Sequence, residues 1–171
     1  MQNQRPIEAE HSKYHQTLIS LVSGDILATL EQQADSIPAF VHSIPSESSD
    51  IVHAPYGWTV RQVIEHCIDA ERVFGYRILR FATGECVDLP GWDENFYAAS
   101  GCGPHADLDA LADEYVATRR SNIALVRRLA SEAWDRAGTA DGNPYSVRSI
   151  IWLMAGHWIH HEAILRKRLA T

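Results

Sequence analysis

Residues 149–171 read SIIWLMAGHWIHHEAILRKRLAT, and this stretch decides the fold. Its apolar residues recur at helical spacing. On a wheel of about 100° per residue, Ile150, Leu153, Met154, Ile164 and Leu165 form one stripe. His157 and His161 fall near the centre line of that stripe, and His160 falls to one side, toward the bundle edge. A helix that buries an apolar face places leucines at such positions, so two histidines four apart need an explanation. Two readings stand. Histidines at i and i+4 can hold one metal ion from one helix face. Alternatively, both are core histidines hydrogen-bonded to Glu71 or Asp25. The zincin mechanism does not apply, because Trp158 stands where that motif has its glutamate.

The preceding chain supplies three more helical segments. Ser146 caps the last one. A third runs from about Leu108 to Ser131, with Leu108, Leu111, Tyr115, Leu125 and Leu129 on one face. A second opens at Thr59, with Gln62 three residues on as a capping box, and runs to about Thr83, where Gly84 stops it. The first runs from about Glu8 to Phe40, with Gly24 as a bend or break and Pro38 ending its regular part. The linkers are residues 42–57, 84–107 and 137–145. The second of these is longer than the 12–15 residues above which loops are often functional. No segment alternates with period two. Four helices with one stripe each make an all-α four-helix bundle in a single domain, residues 1–171.

Polar residues also stand in the other stripes. Glu71 is in line with Ile64, Cys67, Phe74 and Ile78, and His66 lies nearer the edge, beside Val63 and Ala70. Asp25 is in line with Leu18 and Leu21, and Thr118 and Asn122 lie between Tyr115 and Leu125. These positions suggest a polar layer across the bundle, where burial without partners costs several kcal/mol. His66 and Glu71 each admit a site reading and a plain core reading. His11 and His15 read as surface or helix-packing residues, and His42, His53 and His105 as loop surface. Trp58, Trp152 and Trp158 read as packing; Trp92, in a loop over one end of the bundle, stays open.

Bulk properties exclude several classes. The net charge of -7 argues against nucleic acid as a partner, since phosphate affinity comes from clustered Lys and Arg. The run Arg166-Lys167-Arg168 is accounted for by a helix C-terminus. No stretch approaches the roughly 18 apolar residues of a membrane span, and residues 1–16 have no signal-peptide core. The expected location is the cytoplasm. Cys67, Cys86 and Cys102 are an odd count without CxxC spacing, which speaks against a disulfide framework or a cysteine-rich zinc site.

The stretches YGWTVRQVIEHCIDAERVFGYRILRFATGE (56–85) and YSVRSIIWLMAGHWIHHEAILRKRL (145–169) resemble the second and fourth helices of the DinB-like superfamily. SLVSGDILATLEQQ (20–33) resembles its first helix, and LPGWDENFY (89–97) has its loop flavour. The resemblance covers the chain from about Tyr14 to Leu169. It implies an up-up-down-down four-helix bundle, often a homodimer, with zinc or nickel held by three histidines. Matched residue by residue, these are His66, His157 and His161. Glu71 and Asp69 match acidic positions that follow the first histidine, and Glu71 or Asp93 is the candidate general base or ligand-fixing group. Relatives include transferases that use low-molecular-weight thiols such as bacillithiol or mycothiol, a mycothiol-dependent maleylpyruvate isomerase, and metal-dependent hydrolases. Three imidazoles leave a zinc ion one open position, which suits catalysis. That position can activate water for a hydrolase or hold a thiolate for a thiol S-transferase acting on a small molecule. A metal-binding or stress-response protein without turnover is the reading from a different class.

Overall fold

The structure is a computed structural model, described here for residues 4–85, 87–100 and 107–170. Cys86, Cys102 and His105 lie outside the described residues. The helices are α1 (Gln16–Ser20), α2 (Ile26–His42), α3 (Val60–Ala82), α4 (Glu94–Ser100), α5 (Leu108–Arg127) and α6 (Val147–Leu169). A short hairpin, β1 (Ala137–Ala140) and β2 (Asn143–Ser146), precedes α6. Among the described residues no helix is long and apolar enough to cross a membrane.

The bundle consists of α2, α3, α5 and α6. The chain packs α2 and α3 each against both α5 and α6, so the first two long helices face one another across the diagonal. Side-chain pairs give the directions. His42–Asp109, Asp35–Arg120 and Glu31–Arg127 run oppositely along α2 and α5. Gln33 meets Ala155, and Phe40 meets Trp158, in the same sense along α2 and α6. On α3 and α5, Cys67 lies near Tyr115 and Gly75 near Asn122, again in the same sense. Around the bundle two neighbours, α6 and α2, run one way, and the other two, α5 and α3, run the opposite way. Along the chain the order is up, down, down, up, where the resemblance implied up-up-down-down; the bundle itself is as expected.

Caps expected from sequence form. The Thr59 and Gln62 box opens α3, with Gln62 N–H donating to Thr59 Oγ1 at 3.1 Å and Thr59 N–H to Gln62 Oε1 at 2.8 Å. Ser146 Oγ accepts from Ser149 N–H at 3.0 Å. Gly84, at φ +85°, ends α3.

The first segment differs from its expectation. It is two 3-10 turns (Glu8–Glu10, Lys13–His15), then α1, then a break at Gly24 (φ +80°) before α2. Asp25 is not a core residue. It is exposed and caps α2, accepting from Ala28 N–H at 2.9 Å. Pro38 does not end the helix, which continues to His42. An interior proline costs roughly 3 kcal/mol. Ile37, Phe40 and Val41 on either side of it are buried, and their packing offsets that cost.

Residues 137–145 are not a plain loop either. Asp141 (φ 54°) and Gly142 (φ 67°) form a two-residue turn, and Ala137 pairs with Ser146 and Ala140 with Asn143. Positive φ at both positions is what a right-twisted two-residue hairpin requires. The hairpin grips the long linker: Leu89 N–H donates to Thr139 O at 2.9 Å, and Asp141 N–H to Leu89 O at 2.8 Å. This anchor sets where Pro90 and Trp92 lie.

Two apolar clusters fill the bundle. One gathers Ile26, Leu30, Phe74, Ile78, Phe81 and the α6 residues Ile150 to Ala155. The other gathers Ile37, Val41, Ile64, Ile68, Tyr115 and Trp158. Between them runs a polar layer. Arg119 Nε and Nη2 donate to the two Glu71 carboxylate oxygens at 2.7 and 2.9 Å, and Nη1 donates to Gln33 Oε1 at 2.5 Å. Asn122 Nδ2 adds donations to Glu71 O and Oε1 at 2.8 and 3.1 Å. Gln33 Nε2 donates to Ala155 O at 3.0 Å. The layer expected from sequence exists, with Glu71 and Asn122 as expected and with Arg119 and Gln33 added. Asp25 is absent from it, and Thr118 instead donates to Glu114 O at 2.8 Å.

Candidate metal centre

His66, on α3, and His157 and His161, on α6, converge although 91 residues separate the first two. One ring nitrogen from each lies within 4.8 Å of the other two. His66 Nε2 and His157 Nε2 are 3.0 Å apart. Nitrogens that share one tetrahedral zinc at about 2.0–2.1 Å stand roughly 3.3 Å apart, so the donor set fits a single divalent ion.

Protonation suits that role. Burial pulls His66 down from 6.5 to about 4 and His161 to about 3. Burial, followed by the neighbouring histidines, holds His157 well below the usual imidazole range. All three are neutral at pH 7, the form that ligates metal. His66 Nδ1 is buried without a hydrogen-bond partner. That arrangement is costly for a purely structural histidine, and it leaves the ring held by packing. Trp92 supplies that packing. Its ring stacks on His66 at 5.5 Å between centroids and 8° between planes, while Trp58 flanks the same ring at 4.9 Å.

The histidines line a cavity of about 190 Å³. Its other walls include Tyr14, His15, Trp58, Phe74, Arg77 and Trp92, with Glu94 and His160. His160 borders the cavity but is not one of the converging three, as its wheel position implied.

The two carboxylates named from sequence are not brought to this cavity. Both oxygens of Glu71 are held by Arg119, and its role is to neutralise a buried guanidinium. Asp93 is exposed and opens α4, its Oδ1 accepting from Asn95 and Phe96 N–H at 3.0 and 3.1 Å. Its neighbour Glu94 is the cavity carboxylate among the described residues, and it too is exposed. Asp69 is half-buried beside Arg72 and Glu114 and lines a separate groove. Cys67 is fully buried, and burial pushes its thiol pKa up, so it is no nucleophile at neutral pH.

Sequence reasoning missed three wall residues. His15 borders the cavity rather than open surface, and its Nδ1 lies 2.8 Å from Tyr145 Oη and 3.0 Å from Ser12 Oγ. Burial, then Arg77, lowers its pKa to about 4. Arg77 lies beside Phe74 and Ile78, where a long cation reads as surface. Trp58 reads as packing only, yet faces the cavity. Trp152 and Trp158 pack in the core, the latter edge-on to Phe40 and Tyr115 at 5.8 and 5.3 Å.

Comparisons with known proteins bear on the fold and the family. No curated protein matches the chain. A solved structure, YfiT from Bacillus subtilis, is similar with a TM-score of 0.74 and 19% identity, covering 97% of this chain and 91% of that one. It is described as "a probable metal-dependent hydrolase with an unusual four-helix bundle topology". At that identity the likeness speaks for the fold. The sequence profile of the DinB superfamily matches residues 29–165, which span α2 to α6 and include all three converging histidines. With four-fifths of its length matched, and with the bundle in place, the chain belongs to the DinB superfamily.

Proposed function

We propose that this chain is a divalent-metal-dependent enzyme, with zinc or nickel held by His66, His157 and His161, that acts on a small molecule. One observation carries the reading: three neutral imidazoles meet on the wall of a cavity, with no fourth protein ligand beside them among the described residues. A divalent ion at such a site lowers the pKa of water to about 7 or holds a thiol as thiolate.

The chain's own residues do the rest. Trp92 and Trp58 fix the His66 ring and shield it from bulk water. Tyr145 orients His15, leaving its Nε2 free to donate to a bound substrate when the hydroxyl donates to Nδ1. Hydrolysis is the first reading. Thiol S-transfer, with a low-molecular-weight thiol, is the second, and the lining favours it. The walls are largely aromatic, and among the described residues the cavity carboxylate is the exposed Glu94, so no buried carboxylate stands ready there to draw a proton from water. Action in the cytoplasm as a homodimer belongs to the same reading; sedimentation of the purified chain tests the dimer.

Metal content of tag-free protein, measured by mass spectrometry, tests the centre. About one equivalent in the native chain, lost in His66→Ala, His157→Ala and His161→Ala, is expected. A native chain that takes up no metal on reconstitution removes the catalytic reading. Loaded protein is then assayed on an activated ester and on conjugation of a thiol to an electrophile.

A further inference from the structure

Arg77 is 7% exposed and has no carboxylate partner among the described residues. Its described hydrogen bond is a donation from Nη2 to Pro90 O at 3.1 Å. Of the three other buried arginines among the described residues, Arg119 pairs with Glu71 and Arg148 with Glu10 and Asp135, while Arg168, outside the cavity lining, donates to Ile51 O and Trp58 O. A guanidinium keeps its charge in proteins, and a buried charge without a partner is costly. The cost shows in its proton affinity, which burial lowers; Tyr145, Asp141 and Asp88 act the other way without forming an ion pair.

The position of this charge is informative. Arg77 lines the three-histidine cavity and also the adjoining groove of about 360 Å³, bordered by Tyr76, Pro90 and Trp92. The other basic residue of that groove, Arg72, is already paired with Asp69 and Glu114. Glu94, the cavity carboxylate among the described residues, is exposed and screened by solvent. Arg77 therefore brings a largely buried guanidinium to the cavity wall, with Nη2 given to Pro90 O, and its planar fork is the geometry that matches carboxylate and phosphate oxygens.

We propose that Arg77 is the anion-recognition residue of this cavity, and that the substrate is a small molecule with a carboxylate or phosphate group at one end and its reacting atom at the three-histidine end. The proposal rests on the metal-enzyme reading for the second half of that statement. The first half stands on the burial, partners and location of Arg77.

The test titrates the native full chain with succinate and, separately, with inorganic phosphate. Binding is followed by calorimetry and by tryptophan fluorescence, since Trp58 and Trp92 line the cavity. Saturable binding of at least one probe is expected at millimolar concentration, and the tighter probe identifies the anion class. Arg77→Gln is expected to weaken that binding by about tenfold or more, with Arg77→Lys in between. Arg77→Gln is also expected to melt no lower than the native chain, because it removes an unpaired buried charge. Metal content is measured in parallel and is expected to be the same in both proteins. A native chain that binds neither probe, an Arg77→Gln chain that binds as the native does, or one that melts well below it overturns the proposal. Loss of metal from the native chain with anion binding intact removes the catalytic reading alone.

Discussion

At the scale of single residues, burial sets the chemistry. His66 and His161 titrate in the folded chain at about 4 and about 3, and His157 lies well below 6.5. In the unfolded chain each titrates near 6.5. Above pH 6.5 neither state takes up these protons, and stability does not depend on them. Below it the unfolded chain gains protons that the folded chain refuses. The metal-free protein is therefore expected to lose stability from pH 6.5 down toward 4, by about 1.4 kcal/mol per pH unit for each such histidine. Urea unfolding midpoints at pH 7, 6 and 5 measure this; a flat profile contradicts the burial of the three rings. Glu71 makes a second residue-scale prediction. Glu71→Ala leaves Arg119 charged and unpaired in the core, which costs roughly 3–5 kcal/mol. Denaturation reads that loss. Metal content per folded chain is expected to be unchanged, unlike in a chain whose ligand shell included Glu71.

At the scale of elements, contacts between them matter more than their length. Helix α1 has only five residues, yet it carries the wall of the cavity because α6 lets it approach closely. A Cβ on Gly156 stands 2.1 Å from Leu18 O, so nothing larger than glycine fits. Gly156→Ala is expected to push α1 outward, costing about 1–3 kcal/mol and opening the cavity between Leu18 and His157. Loss of stability in urea, together with stronger quenching of tryptophan fluorescence by acrylamide, checks it. The start of α6 is a junction of a similar kind. Ser146 caps the helix and also donates to Glu10 Oε2 at 2.5 Å, tying down the N-terminal segment. Ser146→Ala is expected to cost about 1–2 kcal/mol by the cap alone. A thermal melt decides it.

At the scale of the molecule, an ion held by His66, His157 and His161 would link α3 to α6. An ion bound by the folded chain alone stabilises it by about 2.7 kcal/mol at a hundred times its dissociation constant. Adding a strong chelator is therefore expected to lower the melting temperature of the native chain but not that of His157→Ala. Equal melting with and without chelator contradicts a site that bridges the two helices.

Sequence by itself determined what is local. The apolar period of α3, α5 and α6, the Thr59 and Ser146 caps, the Gly84 stop and the shared face of His157 and His161 all follow from backbone geometry within a few residues. The Asp141-Gly142 turn was equally local, and its dipeptide is the sign that could have revealed the hairpin. Resemblance added His66, which its own wheel position left at the edge of the stripe. Only the tertiary structure decided which polar groups meet. Glu71 is bound to Arg119, not the metal cavity, because a charge 48 residues away claims both its oxygens. Asp25 turned to solvent because the backbone breaks at Gly24. Trp92 reached His66 because the hairpin holds residue 89, and His15 reached the same cavity because α1 folds back on α6. A helical wheel assigns a residue to a face, whereas the partner across that face is set by long-range packing that no local pattern encodes.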